Sequence, residues 1–130
     1  MQTLAIPSSA REQMIDITAD VEEILREAER NEGVCVLFVQ HTTCGLTVNE
    51  NADPDVQGDM LGFLERLIPQ HEPHFKHGEQ NSDAHIKSSL VGTTVTVPFE
   101  SGKLALGRWQ SIYLCEFDGP RDRKVVMTII

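Results

Sequence analysis

Val34 to Asp59 reads VCVLFVQHTTCGLTVNENADPDVQGD, passing from an apolar run through a polar cluster to a helix start. Val34–Gln40 is the most apolar run of the chain, and its length and branched side chains predict a strand buried on both faces. Such a strand ordinarily ends in a turn that only reverses direction. This one emits His41-Thr42-Thr43 and then a second short strand, predicted around Leu46 to Asn49. Asp53-Pro54 next signals a helix, because Asp accepts a bond from an orphan amide and Pro is tolerated at the first helical position. Val56, Met60, Phe63, Leu64 and Leu67 then mark its buried face up to Pro69. Polar groups delivered from the end of a rigid strand are well placed to bind a ligand, so the segment from His41 to Asp59 is the leading site candidate.

Working outward, residues 2–7 and 13–18 read as short strands separated by a turn at Pro7-Ser8-Ser9. Thr18 or Asp20 caps a helix running to about Asn31, with Val21, Ile24, Leu25 and Ala28 on one stripe and Gly33 as its stop. Residues 69–83 form a polar loop; a loop this long in a compact domain is usually functional or mobile. Ser82 or Asp83 caps a short helix from Ala84 to Val91, ended by Gly92. Strands follow at Thr93–Phe99, Gln110–Phe117 and Arg123–Ile130, with a turn and connection over 101–107. The pattern predicts one α+β domain over 1–130, a mixed or antiparallel, sandwich-like sheet covered by two main helices and one short one. The strand order is not written in the sequence.

Composition removes whole classes of function. Hydrophobic content of 40% and charged content of 24% fit a packed globule. Twenty acidic against eleven basic residues, a net charge of −9, present the wrong field for a nucleic-acid partner. No apolar run approaches the roughly 18 residues of a membrane span, and the N-terminus lacks the pattern of a secretory signal. A cytoplasmic location follows as the expectation. Cys35, Cys44 and Cys115 form no C-x-x-C pair, and the two inside predicted core strands, Cys35 and Cys115, read as small buried hydrophobes of a reducing compartment.

Histidine is where chemistry concentrates. His41 ends a strand, His71, His74 and His77 recur every third residue in the loop, and His85 begins the short helix. The loop repeat is not the H-E-x-x-H of zinc proteases, and Pro69 and Pro73 argue against a helix that would align it. Three imidazoles from three separate elements are how a catalytic zinc or similar divalent ion is held with one open position, and His41, His77 and His85 are the set of choice. Glu50, Asp53, Asp55 and Asp59 follow His41. Asp53 reads as a helix cap, while Asp59 borders its helix's apolar stripe and can orient a ligating histidine. Glu116 falls on the same strand face as Ile112 and Leu114, where a carboxylate needs a partner such as Arg108, Arg121 or Arg123. Trp109 reads as a core or interface anchor, and Gly102, Gly107 and Gly119 as turn glycines.

The motifs HTT-x-x-LT-x-NEN-x-DP-x-V-x-x-D, AHIKSSL-x-G and P-x-x-x-G-x-L-x-LG-x-WQ-x-I-x-L-x-E-x-DGPR resemble the YjbQ family, described as secondary thiamine-phosphate synthases, over about residues 2–130. The resemblance implies a compact α+β protein assembling as a homotrimer, with a pocket near the subunit contacts for a metal or a phosphate-like anion. It places an aromatic-x-His pair on Phe75-x-His77, with His74 as the alternative. The implied reaction joins hydroxymethylpyrimidine diphosphate to a thiazole phosphate and releases pyrophosphate, a step that needs charge neutralisation more than a strong base. His41, Glu50, Asp59 and Glu116 are then the catalytic candidates. Thr42, Thr43, Asn49, Lys87 and Arg121 contact the small phosphorylated substrate, and a divalent ion, zinc or magnesium, offsets the carboxylates nearby. Two other classes are a metal-dependent hydrolase with Glu50 or Asp59 as general base, and a non-catalytic metal or anion-binding module. At half the length of a (β/α)8 barrel, the chain must build any such site without that scaffold.

Overall fold

The computed structural model describes residues 1–130, in the order β1 (Gln2–Pro7), β2 (Gln13–Asp16), α1 (Thr18–Glu27), β3 (Glu32–Val39), β4 (Cys44–Glu50), α2 (Pro54–Leu67), α3 (Ser82–Val91), β5 (Thr94–Glu100), β6 (Lys103–Leu104), β7 (Gln110–Glu116) and β8 (Asp122–Ile129). A five-stranded sheet has the order β1-β8-β3-β5-β6, and a three-stranded sheet the order β2-β7-β4. Every pairing in both is antiparallel, so the expected α+β sandwich is realised in its antiparallel form.

The core lies between the sheets. Leu37, Val39, Val97, Val125 and Met127 of the large sheet meet Leu46, Ile112 and Leu114 of the small one, and Val21 and Leu25 of α1 join the same cluster. Alternation along β7 supplies a second cluster on the opposite face, where Tyr113 and Cys115, with Phe117 just beyond the strand, pack on Ala84 of α3 and on Leu61 and Leu64 of α2. β7 is therefore covered on both sides, and Ser111 to Glu116 are all buried.

Several local expectations change. α1 stops at Glu27, with Ala28 already extended, so Gly33 does not end it. Gly33 lies inside β3 at φ +156, where a Cβ would stand 2.5 Å from the Ile130 carbonyl oxygen. Close backbone approach is what demands glycine there. Neither Thr18 nor Asp20 caps α1: Thr18 is its first residue and uses its hydroxyl to accept from the Ile112 amide at 2.9 Å. Asp53 does cap α2, accepting from the Asp55 amide at 2.9 Å.

The predicted buried face of α2 is only half formed. Leu61 and Leu64 reach the outer cluster, but Phe63 is 57% and Leu67 59% exposed, and no residue of α2 is fully buried. The outer face of a three-stranded sheet is narrow, and α3 already occupies it against β4. α3 begins at Ser82, two residues earlier than expected, with Asn81 at its cap position. Neither expected cap acts as one, because Asp83 is turned inward to Arg11 and Lys87. The connection after β5 also contains a two-residue strand, β6, that the turn chemistry hid.

Gly45 fixes the distance between β4 and α3. The Leu46 amide donates to the Gly92 carbonyl at 3.0 Å, and a Cβ on Gly45 would lie 2.6 Å from that same oxygen. Gly45→Ala is expected to lower unfolding free energy by about 1–3 kcal/mol, the usual cost of overpacking, in urea titration of the purified protein.

Candidate functional site

β3 ends at Val39, and the chain then crosses from the large sheet to the small one through Gln40-His41-Thr42-Thr43. That crossing forms one wall of an open cleft of about 280 Å³, lined by Gln40, His41, Thr42, Thr43, Glu79, Asn81, His85, Arg121 and Arg123. α3 forms the facing wall and is tied to the crossing by the Ser88 hydroxyl, which donates to the Thr42 carbonyl at 2.7 Å. No hydrophobic side chain lines the cleft.

Its floor is an ion pair between the sheets. Arg123 of β8 donates from Nε to Glu116 Oε1 at 2.8 Å and from Nη2 to Oε2; Nη2 also reaches Thr43 Oγ1 at 2.7 Å. Arg123 is therefore the partner that Glu116 requires, chosen from the three arginines considered. Ser8 donates to Glu116 Oε1 at 2.6 Å, and the Asp118 amide to Oε2 at 3.1 Å. Burial pushes the Glu116 carboxyl up, but the bonds from Arg123, Ser8 and Asp118 more than reverse this and hold it below the usual carboxylate range. Arg123 Nη1 has no partner inside the chain and remains open to the cleft.

Arg121 flanks this floor, donating from Nε to the Asp118 carbonyl at 2.8 Å and from Nη2 to Asp118 Oδ2 at 2.7 Å. Asn81 Nδ2 donates to that same Oδ2 at 2.8 Å, while Asn81 Oδ1 is the one buried side-chain atom in the chain with no partner. His41 accepts at Nε2 from the Lys124 backbone amide at 3.0 Å. Burial, then the neighbouring Arg123, lowers the His41 pKa from its ordinary value of 6.5, which keeps the ring neutral at pH 7.

The structure brings together His41, Thr42, Thr43, His85, Glu116 and Arg121. The other candidates lie elsewhere. Asn49 and Glu50 are at the far end of β4, paired with Ser111 and Gln110, six residues or roughly 20 Å from Cys44. Asp59 lines an apolar depression with Met60, Phe63, Leu64, Leu90 and Val91, and makes no bond to a histidine. Lys87 is fully buried and bonded to Asp83 and Glu12, each at 2.8 Å, so it is an internal cation and not a substrate contact.

The three-histidine set does not converge either. His77 stands beside His85, with ring centroids 5.6 Å apart, but outside the cleft that His41 and His85 share. Nowhere do three His, Cys, Asp or Glu side chains come together at metal-holding range. Between the loop alternatives, His77 is the one against His85; His74 turns outward to Glu72 at 2.7 Å. Trp109 is 53% exposed, under the Arg108 guanidinium at 4.7 Å, and so is no core anchor within this chain. All three cysteines are buried and unpaired, and burial pushes the Cys44 thiol up to about 11 and Cys115 to about 12, which leaves neither a nucleophile.

A family model described as UPF0047 protein YjbQ-like matches residues 2–130. The chain belongs to the YjbQ-like UPF0047 family. Its relatives include the UPF0047 protein of Methanocaldococcus jannaschii, 48% identical over 96% of this chain and 90% of that one. The UPF0047 protein YugU of Bacillus subtilis is also 48% identical, over 95% and 93%. Among solved structures, an uncharacterized conserved protein of the YjbQ/UPF0047 family from Clostridium acetobutylicum superposes with a TM-score of 0.96 at 48% identity, covering 100% of both chains. A conserved hypothetical protein from Thermus thermophilus gives 0.94 at 46% identity, again covering 100% of both.

The YjbQ-like motifs thus divide between two places: HTT, AH and the E-x-DGPR segment at the cleft, NEN and WQ at the opposite end of β4 and β7. Sequence reading misses Gln40, Glu79 and Asn81, and names Arg123 only as one of three possible partners for Glu116. Asn81 carried a usable signal, since Asn directly before Ser-Asp is a cap residue; Glu79 carried none.

Removing one partner of the buried pair leaves the other charge uncompensated. Glu116→Gln is expected to cost about 3–5 kcal/mol in urea unfolding at pH 7. Because the folded-state pKa of Glu116 is depressed, its contribution is complete above the unfolded value of 4.5 and is lost as pH falls through the lower folded value. Unfolding titrations from pH 7 to pH 3 should therefore show a shallower acid decline in Glu116→Gln than in the parent.

Proposed function

We propose that this YjbQ-family chain binds a small phosphorylated molecule in the cleft between His41 and the start of α3. On this reading it acts as a thiamine-phosphate-synthase-like transferase of the cytoplasm, assembled as a homotrimer. The observation that carries the reading is the donor content of the cleft. In a chain of net charge −9, Arg121 and the open Nη1 of Arg123 adjoin Thr42 and two histidines, with no apolar residue between them. Charge-assisted donors of this kind match phosphoryl oxygens.

The carboxylates that would repel such a ligand are accounted for. Glu50, Asp53, Asp55 and Asp59 all lie outside the cleft, and Glu116 is neutralised by Arg123. Glu79, whose Oε2 stands 3.7 Å from His77 Nε2, is the one acid in the lining, at its exposed rim. In the implied condensation the departing diphosphate keeps the electron pair of the broken C–O bond, and the arginines are placed to stabilise that charge. The hydrolase alternative fares worse, since both bases assigned to it, Glu50 and Asp59, are remote from this pocket. A zinc or magnesium ion held by His41, His77 and His85 does not fit the residues as they stand, because the three rings do not converge and His41 Nε2 is engaged. No step of this reading runs through a metal.

What supports assembly is the unpaired apolar side of the helices. Phe63, Leu67 and Leu90 are each more than half exposed; Phe63 and Leu90 line the depression that holds Met60, and Leu67 lies about one helical turn beyond Phe63 at the end of α2. No helix is long and apolar enough to cross a membrane, so this surface is not part of a helical span. Copies of the same chain are the occupant proposed. Leu67→Glu should shift the mass seen by light scattering from that of a trimer to that of the 14.5 kDa chain; an unchanged mass would refute this face as the contact.

Calorimetric titration with inorganic pyrophosphate tests the pocket, and turnover of hydroxymethylpyrimidine diphosphate with thiazole phosphate tests the reaction. Arg121→Ala is expected to weaken pyrophosphate binding about tenfold, the scale of one lost charge-assisted bond. Equal affinity in parent and variant would remove Arg121 from the site, and pyrophosphate binding without turnover would leave an anion-binding module.

A further inference from the structure

The way β3 leaves the large sheet fixes the position of one proton. β3 and β8 pair with Val39 opposite Val125, and the Val34 and Ile130 backbones exchange hydrogen bonds at 2.9 and 2.8 Å. Antiparallel ladders exchange such bonds at every second pair. Carried along the register, the exchanging pairs are 36 with 128, 38 with 126 and 40 with 124. The Lys124 amide therefore faces the place where the Gln40 carbonyl would continue the ladder. β3 has already turned away at Val39, and His41 Nε2 takes the bond in its place at 3.0 Å.

A backbone amide can only donate. Nε2 must therefore present a lone pair to Lys124, and the proton of the neutral ring is carried by Nδ1. Nδ1 has no partner within the chain, and the ring lines the cleft beside Thr42, Arg121 and Arg123. A metal needs a bare ring nitrogen. Taking Nε2 would strip the Lys124 amide of its acceptor, and taking Nδ1 would require loss of the proton that the Lys124 bond places there.

We propose that His41 is a fixed, neutral hydrogen-bond donor, offering Nδ1–H to an oxygen of the phosphoryl group, and is not a metal ligand. The assignment rests on the phosphate reading of the cleft and deepens it by giving His41 one nitrogen, one proton and one role. Burial beside Arg123, which disfavours a second positive charge, acts in the same direction as the ladder geometry. Neutral donors of this kind favour a charged oxygen without adding a titrating charge of their own.

The test combines ring nitrogen NMR with phosphate titration. In uniformly nitrogen-labelled parent protein at pH 7, His41 should show a protonated Nδ1 and an unprotonated Nε2, and inorganic phosphate should shift Nδ1 selectively. His41→Asn places an amide N–H close to the position of Nδ1 and should hold phosphate affinity within about threefold; His41→Ala should lose about tenfold. Phosphate binding together with an Nε2–H ring, or with zinc coordination seen at a His41 nitrogen, would overturn the donor role and leave the phosphate reading standing. Equal losses in the Asn and Ala variants would do the same. Absence of phosphate binding to the parent, even with an Nδ1–H ring, would overturn both.

Discussion

The Glu116–Arg123 pair is the contact on which the remainder of the molecule turns. It joins β7, the middle strand of the small sheet, to β8, which lies between β1 and β3 in the large one. A lone carboxylate or guanidinium in that position would be severely destabilising, so each is tolerated only because the other is there. The pair also collects Thr43, Ser8 and the Asp118 amide around itself, drawing the β3–β4 crossing, the turn after β1 and the turn after β7 to one point. The cleft exists where those three connections meet. Fold and cleft thus share a cause, and the same guanidinium that locks the sheets leaves Nη1 without a partner at the cleft.

A second ionic arrangement holds the opposite wall. Asp83 receives both Arg11 terminal nitrogens, at 3.1 and 2.9 Å, and Lys87 at 2.8 Å, anchoring the first turns of α3 to the segment that precedes β2. α3 is pinned at its other end by Gly92 against β4. His85, between these two anchors, is carried on a rigid element, which is what positioned chemistry requires. The cation that anchors α3 and the cations that line the cleft are therefore different residues, a division that a list of basic side chains does not reveal.

The strands were legible because alternation and apolar runs are local: β3, β5, β7 and β8 fall within two residues of their expected limits. Asp53 was legible as a cap for the same reason. β6 was not, since a two-residue strand has no period to read, and Gly33 misled because a glycine after a helical stripe resembles a stop when its actual demand comes from the distant Ile130 carbonyl. At the site, His41, Thr42, Thr43, His85, Arg121 and Glu116 could be picked out by type and by their place at strand or helix ends. Glu50 and Asp59 follow His41 closely in sequence and Lys87 carries the charge a phosphate needs, but neither property fixes where a side chain lies in space. β4 carries Glu50 away along its length, α2 turns Asp59 to an apolar surface, and α3 rotates Lys87 inward.

β8 has a bearing on how the protein is made. It occupies an interior place in the large sheet although it is the most distal strand in sequence, with β1 on one side and β3 on the other. Until residue 129 has cleared the ribosome, both neighbours expose unpaired edges, and neither can close across the gap. Residues 1–121 thus emerge with the principal sheet still split, and β1 joins β3 only through a strand made after both. Long-range closure of this sort favours slow maturation over folding piece by piece as the polypeptide emerges.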